Sequence, residues 1–162
     1  MNQNKITFSN PEIDLELDFS IQDYQFPDLT SGCDDNWLIV KLKCRYQGRV
    51  FEKKDPSITS HELESIRKWF QSIAGNTIPE YTCLSFTEPN LEFELFGNRN
   101  GTVRFGIKLA AEFKPPFVIR QFAFEPLDPD DEFVLVFENS FEEMSAYAVR
   151  FQNMLEAFPL RC

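Results

Sequence analysis

Between Gln121 and Val149 the sequence carries eight carboxylates and no Lys, Arg or His: Glu125, Asp128, Asp130, Asp131, Glu132, Glu138, Glu142 and Glu143. Crowded carboxylates can do three kinds of chemistry: hold a metal, move a proton as a pair, or attract a cationic partner. The alternation Asp128, Asp130, Glu132 suggests a calcium loop. However, the sixth position of such a loop is Phe133 instead of Gly and the twelfth is Asn139 instead of Glu, so the EF-hand pattern fails. Carboxylates that repel one another gain nothing from folding, and a basic partner supplies a reason to keep them together. The bland reading is a solvated loop. Asp34 and Asp35, just before Trp37, read first as turn residues through Asx hydrogen bonds and second as an extension of the acidic surface.

No catalytic constellation accompanies these groups. His61 is the only histidine and falls in the first turn of an expected helix, where the dipole disfavours its cationic form. The chain has no GxSxG, CxxC, HExxH, P-loop or GxGxxG. No catalytic residue, cofactor or metal is assigned. A carboxylate-dependent hydrolase stays an open alternative, because paired carboxylates need no sequence signature.

The whole chain repeats the acidic bias. Its 162 residues hold 16 Lys+Arg against 26 Asp+Glu, a net charge of −10, which argues against direct contact with nucleic acid or anionic membranes. A basic protein partner fits, and so does solubility alone. Eighteen Phe and an aromatic content of 15% predict a Phe-rich core and exclude a disordered chain. The four cysteines, Cys33, Cys44, Cys83 and Cys162, form no close pair; Cys44 and Cys83 lie in apolar runs and read as buried thiols. Met1 to Ser20 lacks the pattern of a signal peptide, and no apolar run approaches a membrane span, so the expectation is a soluble cytoplasmic protein.

The elements that must position these groups follow from periodicity. Ile13 to Phe19 and Trp37 to Tyr46 alternate apolar and charged residues and predict strands. Thr59 and Glu62 form a capping box for a helix over Ser60 to Ala74, with Leu63, Ile66, Phe70 and Ile73 inward and Gly75 as its stop. Leu91 to Leu95 and Val103 to Leu109 predict a hairpin with its turn at Asn100, in a register that sets Leu95 against Phe105 and Phe93 against Ile107. Phe117 to Phe124 and Phe133 to Phe137 read as buried central strands joined by the acidic loop. Ser140 and Glu143 form a second capping box, and a stripe from Met144 to Phe158 ends at Pro159.

Two charged strand faces should cancel internally. Asp14, Glu16 and Asp18 can lie across from Lys41, Lys43 and Arg45, and Glu92 across from Lys108; each such pair contributes only about 0.2–1 kcal/mol.

Four segments together resemble the WapI-family immunity proteins, small cytoplasmic antitoxins of bacterial polymorphic toxin systems. They are Asp35-Asn36-Trp37-Leu38 at a strand start, Leu63 to Phe70 with Trp69, Phe86-Thr87-Glu88-Pro89-Asn90-Leu91-Glu92-Phe93, and Asp130-Asp131-Glu132 before a Phe/Val strand. The resemblance runs from about Asp34 to Phe158 and rests on order and spacing. It implies a non-catalytic protein that binds and silences a toxin domain, similar to relatives that neutralise a tRNA-cleaving nuclease.

The combined expectation is one α+β domain over 1–162, with an antiparallel sheet of about six strands and two packed helices at about 60–74 and 141–157. The partner is a basic toxin domain, with no nucleic acid or membrane contact. The expected contact residues are Asp128, Asp130, Asp131, Glu132, Glu142 and Glu143, then Asp34 and Asp35. The alternative is a ligand-binding or housekeeping α+β domain whose acidity serves solubility.

Overall fold

The computed structural model describes residues 4–28, 36–119, 121 and 133–161. It is α+β, as expected, but its strands form two antiparallel sheets of four each instead of one sheet of about six. The first holds β1 (Lys5–Asn10), β2 (Leu15–Tyr24), β3 (Trp37–Tyr46) and β4 (Arg49–Thr59), in that order, and leads into α1 (Ser60–Ala74). The second holds β5 (Cys83–Ser85), β6 (Leu91–Arg99), β7 (Thr102–Leu109) and β8 (Phe133–Ser140), and leads into α2 (Phe141–Ala157).

Both capping boxes form as the sequence predicts. Thr59 Oγ1 accepts the Glu62 N–H at 3.2 Å while Glu62 Oε1 accepts the Thr59 N–H at 3.0 Å. Ser140 and Glu143 make the same reciprocal pair. The stop of α1 differs in detail: Gly75 has an ordinary φ of −82°, and Asn76 takes the left-handed conformation at φ 56°. Asn tolerates that region because its side chain is short and polar.

Leu95 faces Phe105 and Phe93 faces Ile107, but the route to that register is not the one the sequence suggests. The turn is a two-residue Asn100-Gly101 link with φ of 53° and 79°, the type I′ pattern. That turn alone would offset the strands by one residue. A bulge at Phe96, between Leu95 and Gly97, restores the match.

The two halves repeat each other, although no repeat is visible in the sequence. Each is a four-stranded meander whose last strand runs directly into a capped helix. β2 and β6 carry a bulge at matching places, Gln22 and Phe96. Leu63, Ile66, Phe70 and Ile73 on α1 occupy the positions of Met144, Tyr147, Phe151 and Met154 on α2. The matching rings meet: Phe70 and Phe151 stack with centroids 5.1 Å apart. Phe70 meets Phe93 of the second sheet at 5.7 Å, and Phe151 meets Phe19 of the first sheet, also at 5.7 Å. Contacts exchanged in this reciprocal way are those of a two-fold arrangement. Each helix thereby reaches the other half's sheet, and one continuous core spans both halves.

That core is Phe-rich as predicted: Phe8, Phe19, Phe70, Phe93, Phe105, Phe113, Phe137 and Phe151 are all fully buried. Several expectations are corrected. β1, β4 and β5 are strands that periodicity did not reveal. Residues 117–119 form no strand, and Val118 is exposed. The preceding Pro115-Pro116 lacks two ladder donors, which disfavours strand pairing there. Among the described residues β8 is an edge strand, not a central one. Its apolar character on both faces reflects Val136, buried at 5% exposure on the side opposite the core.

Candidate functional site

Of the expected contact residues, Asp34, Asp35, Asp128, Asp130, Asp131 and Glu132 lie outside the described residues. Glu142 and Glu143 open α2, where the helix dipole favours carboxylates. Glu142 is exposed and makes no ion pair among the described residues. Glu143 is already committed. Its Oε1 accepts the Ser140 N–H at 3.2 Å and its Oε2 accepts from Asn139 Nδ2 at 2.6 Å. Partial burial works against its charge, but these bonds outweigh it and leave the carboxyl below its ordinary pKa.

The remaining strand carboxylates are largely neutralised inside the fold. β2 and β3 pair antiparallel and bring the two charged faces together as the sequence predicts, but shifted by two residues from a three-on-three match: Glu16 lies opposite Arg45, Asp18 opposite Lys43, and Lys41 opposite Ser20. Arg45 takes both acids, bonding Glu16 and donating Nη1 to Asp18 Oδ2 at 2.7 Å. Thr7 Oγ1 donates to Asp18 at 2.7 Å and Lys5 Nζ lies 3.3 Å away. Burial opposes the Asp18 charge, yet the bonds from Arg45 and Thr7 hold its pKa below the usual value. Asp14 does not join them, because it sits in a left-handed turn at φ 53° before β2 begins. Lys41 pairs instead with Glu52 of β4 at 2.8 Å. On the second sheet, Lys108 bridges Glu92 and Glu94 at 3.9 and 3.5 Å, and Arg104 bonds Glu138 at 3.0 Å. Glu138 looked uncompensated in the linear sequence because its partner is on the neighbouring strand.

Two buried polar clusters are structural. Ser57 Oγ donates to Asn90 Oδ1 at 2.6 Å, and Asn90 Nδ2 donates to Asp55 Oδ2 at 2.7 Å, tying β4 to the turn before β6. Burial and the nearby Glu112 raise the Asp55 pKa, with Asn90 and Lys53 opposing. Asn139 sits beneath the start of α2 near Tyr147, whose phenol burial pushes up to about 12. His61 is exposed on α1, and none of these clusters brings it to a nucleophile. Among the described residues no group of His, Cys, Asp and Glu could hold a metal.

Sequence reasoning missed one surface feature. A cleft of about 670 Å³ runs between α1 and β5, lined by Ser65, Trp69 and Ser72 on the helix, Tyr81 on the linker, and Cys83 and Ser85 on the strand. Trp69 Nε1 donates to the Tyr81 carbonyl at 2.9 Å, which pins the linker against the helix. The Tyr81 ring is left 62% exposed and the nearby Ile78 78% exposed. The sequence signal was there, as apolar residues around Pro79 between a helix and a strand, but it carried no period. Cys83 is exposed, contrary to expectation, since β5 turns Leu84 inward and Cys83 out. Its thiol donates to Glu92 at 2.5 Å, and partial burial with that carboxylate raises its pKa to about 11.

Among the described residues no helix is long and apolar enough to cross a membrane. A family model described as "Immunity protein WapI-like family" matches residues 7–159. No curated protein and no solved structure matches the chain.

Proposed function

We propose that this chain, which belongs to the WapI-like immunity protein family, binds a cognate toxin domain and neutralises it without catalysis of its own. The family implies a toxin protein as partner. The finer reading is that the toxin is a basic nuclease, of the tRNA-cleaving class, held through an acidic surface. A nuclease presents cations to RNA phosphates, and an acidic protein can occupy that face in their place.

The observation that carries this reading is the distribution of charge. With a net charge of −10, the chain still neutralises Glu16, Asp18, Glu52, Glu92, Glu94 and Glu138 with its own cations. The acidic excess therefore lies among the other carboxylates, and this reading assigns the toxin contact to the densest run of them in the sequence, Asp128, Asp130, Asp131 and Glu132, with the exposed Glu142 and then Asp34 and Asp35.

The test is association with the toxin domain encoded by the adjacent gene, followed over a salt series. Neutralising Asp128, Asp130, Asp131 and Glu132 to Asn and Gln should slow association about tenfold at low salt, with the difference shrinking as salt rises. Unchanged kinetics would remove the acidic segment from the mechanism. A wild-type chain that fails to bind or protect against that toxin would remove the function.

A further inference from the structure

Among the described residues the two sheets have four edges, formed by β1, β4, β5 and β8, and an unguarded edge is a template for another chain. β8 is capped by side chains acting as a strand would. Gln121 Nε2 donates to the Val134 carbonyl at 2.6 Å, Gln121 Oε1 accepts the Val136 N–H at 2.7 Å, and Asn10 Nδ2 donates to the Val136 carbonyl at 3.0 Å. The same bond ties the end of β1 to β8. β4 is guarded by chemistry: Pro56 removes a donor, a bulge interrupts its pairing, and Lys53 lies opposite the buried Leu42, on the core-facing side.

β5 carries no such guard among the described residues. The Leu95 N–H bonds the Thr82 carbonyl at 2.8 Å, which sets the phase of the β5–β6 ladder. Hydrogen-bonded pairs alternate along an antiparallel ladder, so Leu84, opposite Phe93, bonds to β6. Cys83 and Ser85 therefore direct their N–H and C=O groups away from the sheet, and both residues line the 670 Å³ cleft. The cleft wall supplies Trp69 and the exposed ring of Tyr81.

We propose that β5 is a docking edge, to which an extended segment of the toxin protein adds as a fifth strand. This rests on the immunity reading and names the contact that reading leaves open. Strand addition takes affinity from main-chain bonds and specificity from pockets for alternate side chains. β5 offers only two outward-facing residues, so its shortness discourages indiscriminate pairing and leaves selection to the exposed Tyr81 and the half-buried Leu84, over a cleft floor that includes the edge of the buried Trp69. The charge of the incoming strand is also set. Glu80 and Lys68 both line the cleft and balance in charge, so the bias comes from the strand beside it, where Glu92 and Glu94 next to Cys83 share the single Lys108 among the described residues. A strand bearing Lys or Arg next to its apolar residues fits this arrangement.

The experiment is amide hydrogen exchange by NMR on the full-length chain, free and mixed with the toxin domain of the adjacent gene, together with binding by Ser85→Pro and Tyr81→Ala. Proline at Ser85 removes one outward donor and none of the bonds to β6. The Cys83 and Ser85 amides should exchange rapidly in the free chain and slow at least tenfold in the complex. Ser85→Pro should weaken binding at least tenfold. If the wild type binds but both amides stay unprotected, the docking edge is refuted and the immunity reading stands, whatever Ser85→Pro does to stability. If the free chain shows the same protection as its concentration rises, a second copy occupies the edge and the toxin strand is refuted. If the wild type does not bind, the immunity reading falls and takes this inference with it.

Discussion

Phe70→Ala tests the joint between the two halves. Phe70 has no exposed surface and its ring meets six others, from Trp69 at 5.0 Å to Phe8 at 6.1 Å, drawn from both sheets and both helices. Deleting a buried Phe side chain costs about 3–5 kcal/mol, more where the walls cannot collapse. Here the walls are four separate elements, each anchored by its own hydrogen bonds, so the expected loss is about 4 kcal/mol or more. Phe151→Ala should cost less, about 3 kcal/mol, because that ring meets only Phe19 and Phe70 among the described residues. The double variant should fall short of the sum by about 1 kcal/mol, since stacked rings leave one merged cavity. Urea unfolding read by tryptophan fluorescence and far-ultraviolet circular dichroism gives all four free energies, with unchanged m-values as the check on two-state behaviour. A Phe70→Ala loss below about 1.5 kcal/mol, or additivity within roughly 0.3 kcal/mol, would refute a shared aromatic joint.

Other outcomes follow from single sites. Asp18 has its folded pKa held below 3.8, so its stabilisation is present above the unfolded value and is lost as pH falls through the folded one. Asp18→Asn should therefore cost about 1–3 kcal/mol at pH 7, and unfolding midpoints should show the gap closing in strong acid. A Cβ on Gly106 would come within 2.7 Å of the Phe96 ring and 2.9 Å of Val134 Cγ1, so Gly106→Ala should cost about 1–3 kcal/mol by overpacking. Phe96→Ala in the same chain should recover part of that loss in a double-mutant cycle. With Cys33 and Cys162 changed to serine, Cys83 should react with a maleimide in the native state at a rate still rising above pH 9, because its pKa is about 11. The buried Cys44 should react only on unfolding.

What the sequence revealed depended on whether the signal was local. Both helices were legible to the residue, because a capping box and an apolar stripe lie within one stretch of chain. β2, β3, β6 and β7 were legible because each alternates apolar with polar or charged residues over most of its length. β4 was not, since an edge strand with Arg49, Lys53 and Pro56 has no clean alternation. β5 was too short to show any period. The duplication was invisible because matching positions share burial but not residue type: Leu63 answers Met144, and Ile66 answers Tyr147. In the candidate site, the carboxylate excess was plain from composition. Which acids are neutralised was not, because Arg104 meets Glu138 only after β7 and β8 pair.

The reciprocal packing of the halves makes neither one self-sufficient. Residues 5–74 form a sheet with a helix whose central ring, Phe70, belongs against Phe93 and Phe105 of the other half. Cut after Asn76, the chain should yield two fragments that stay molten apart and refold on mixing, with fragment complementation following second-order kinetics. Independent folding of either piece would count against this. The same geometry describes how such a chain can arise: a half-length ancestor forming a homodimer through its helices, later fused tail to head. Fusion frees the two copies to diverge, so that one sheet can keep its edges closed while the other leaves one open.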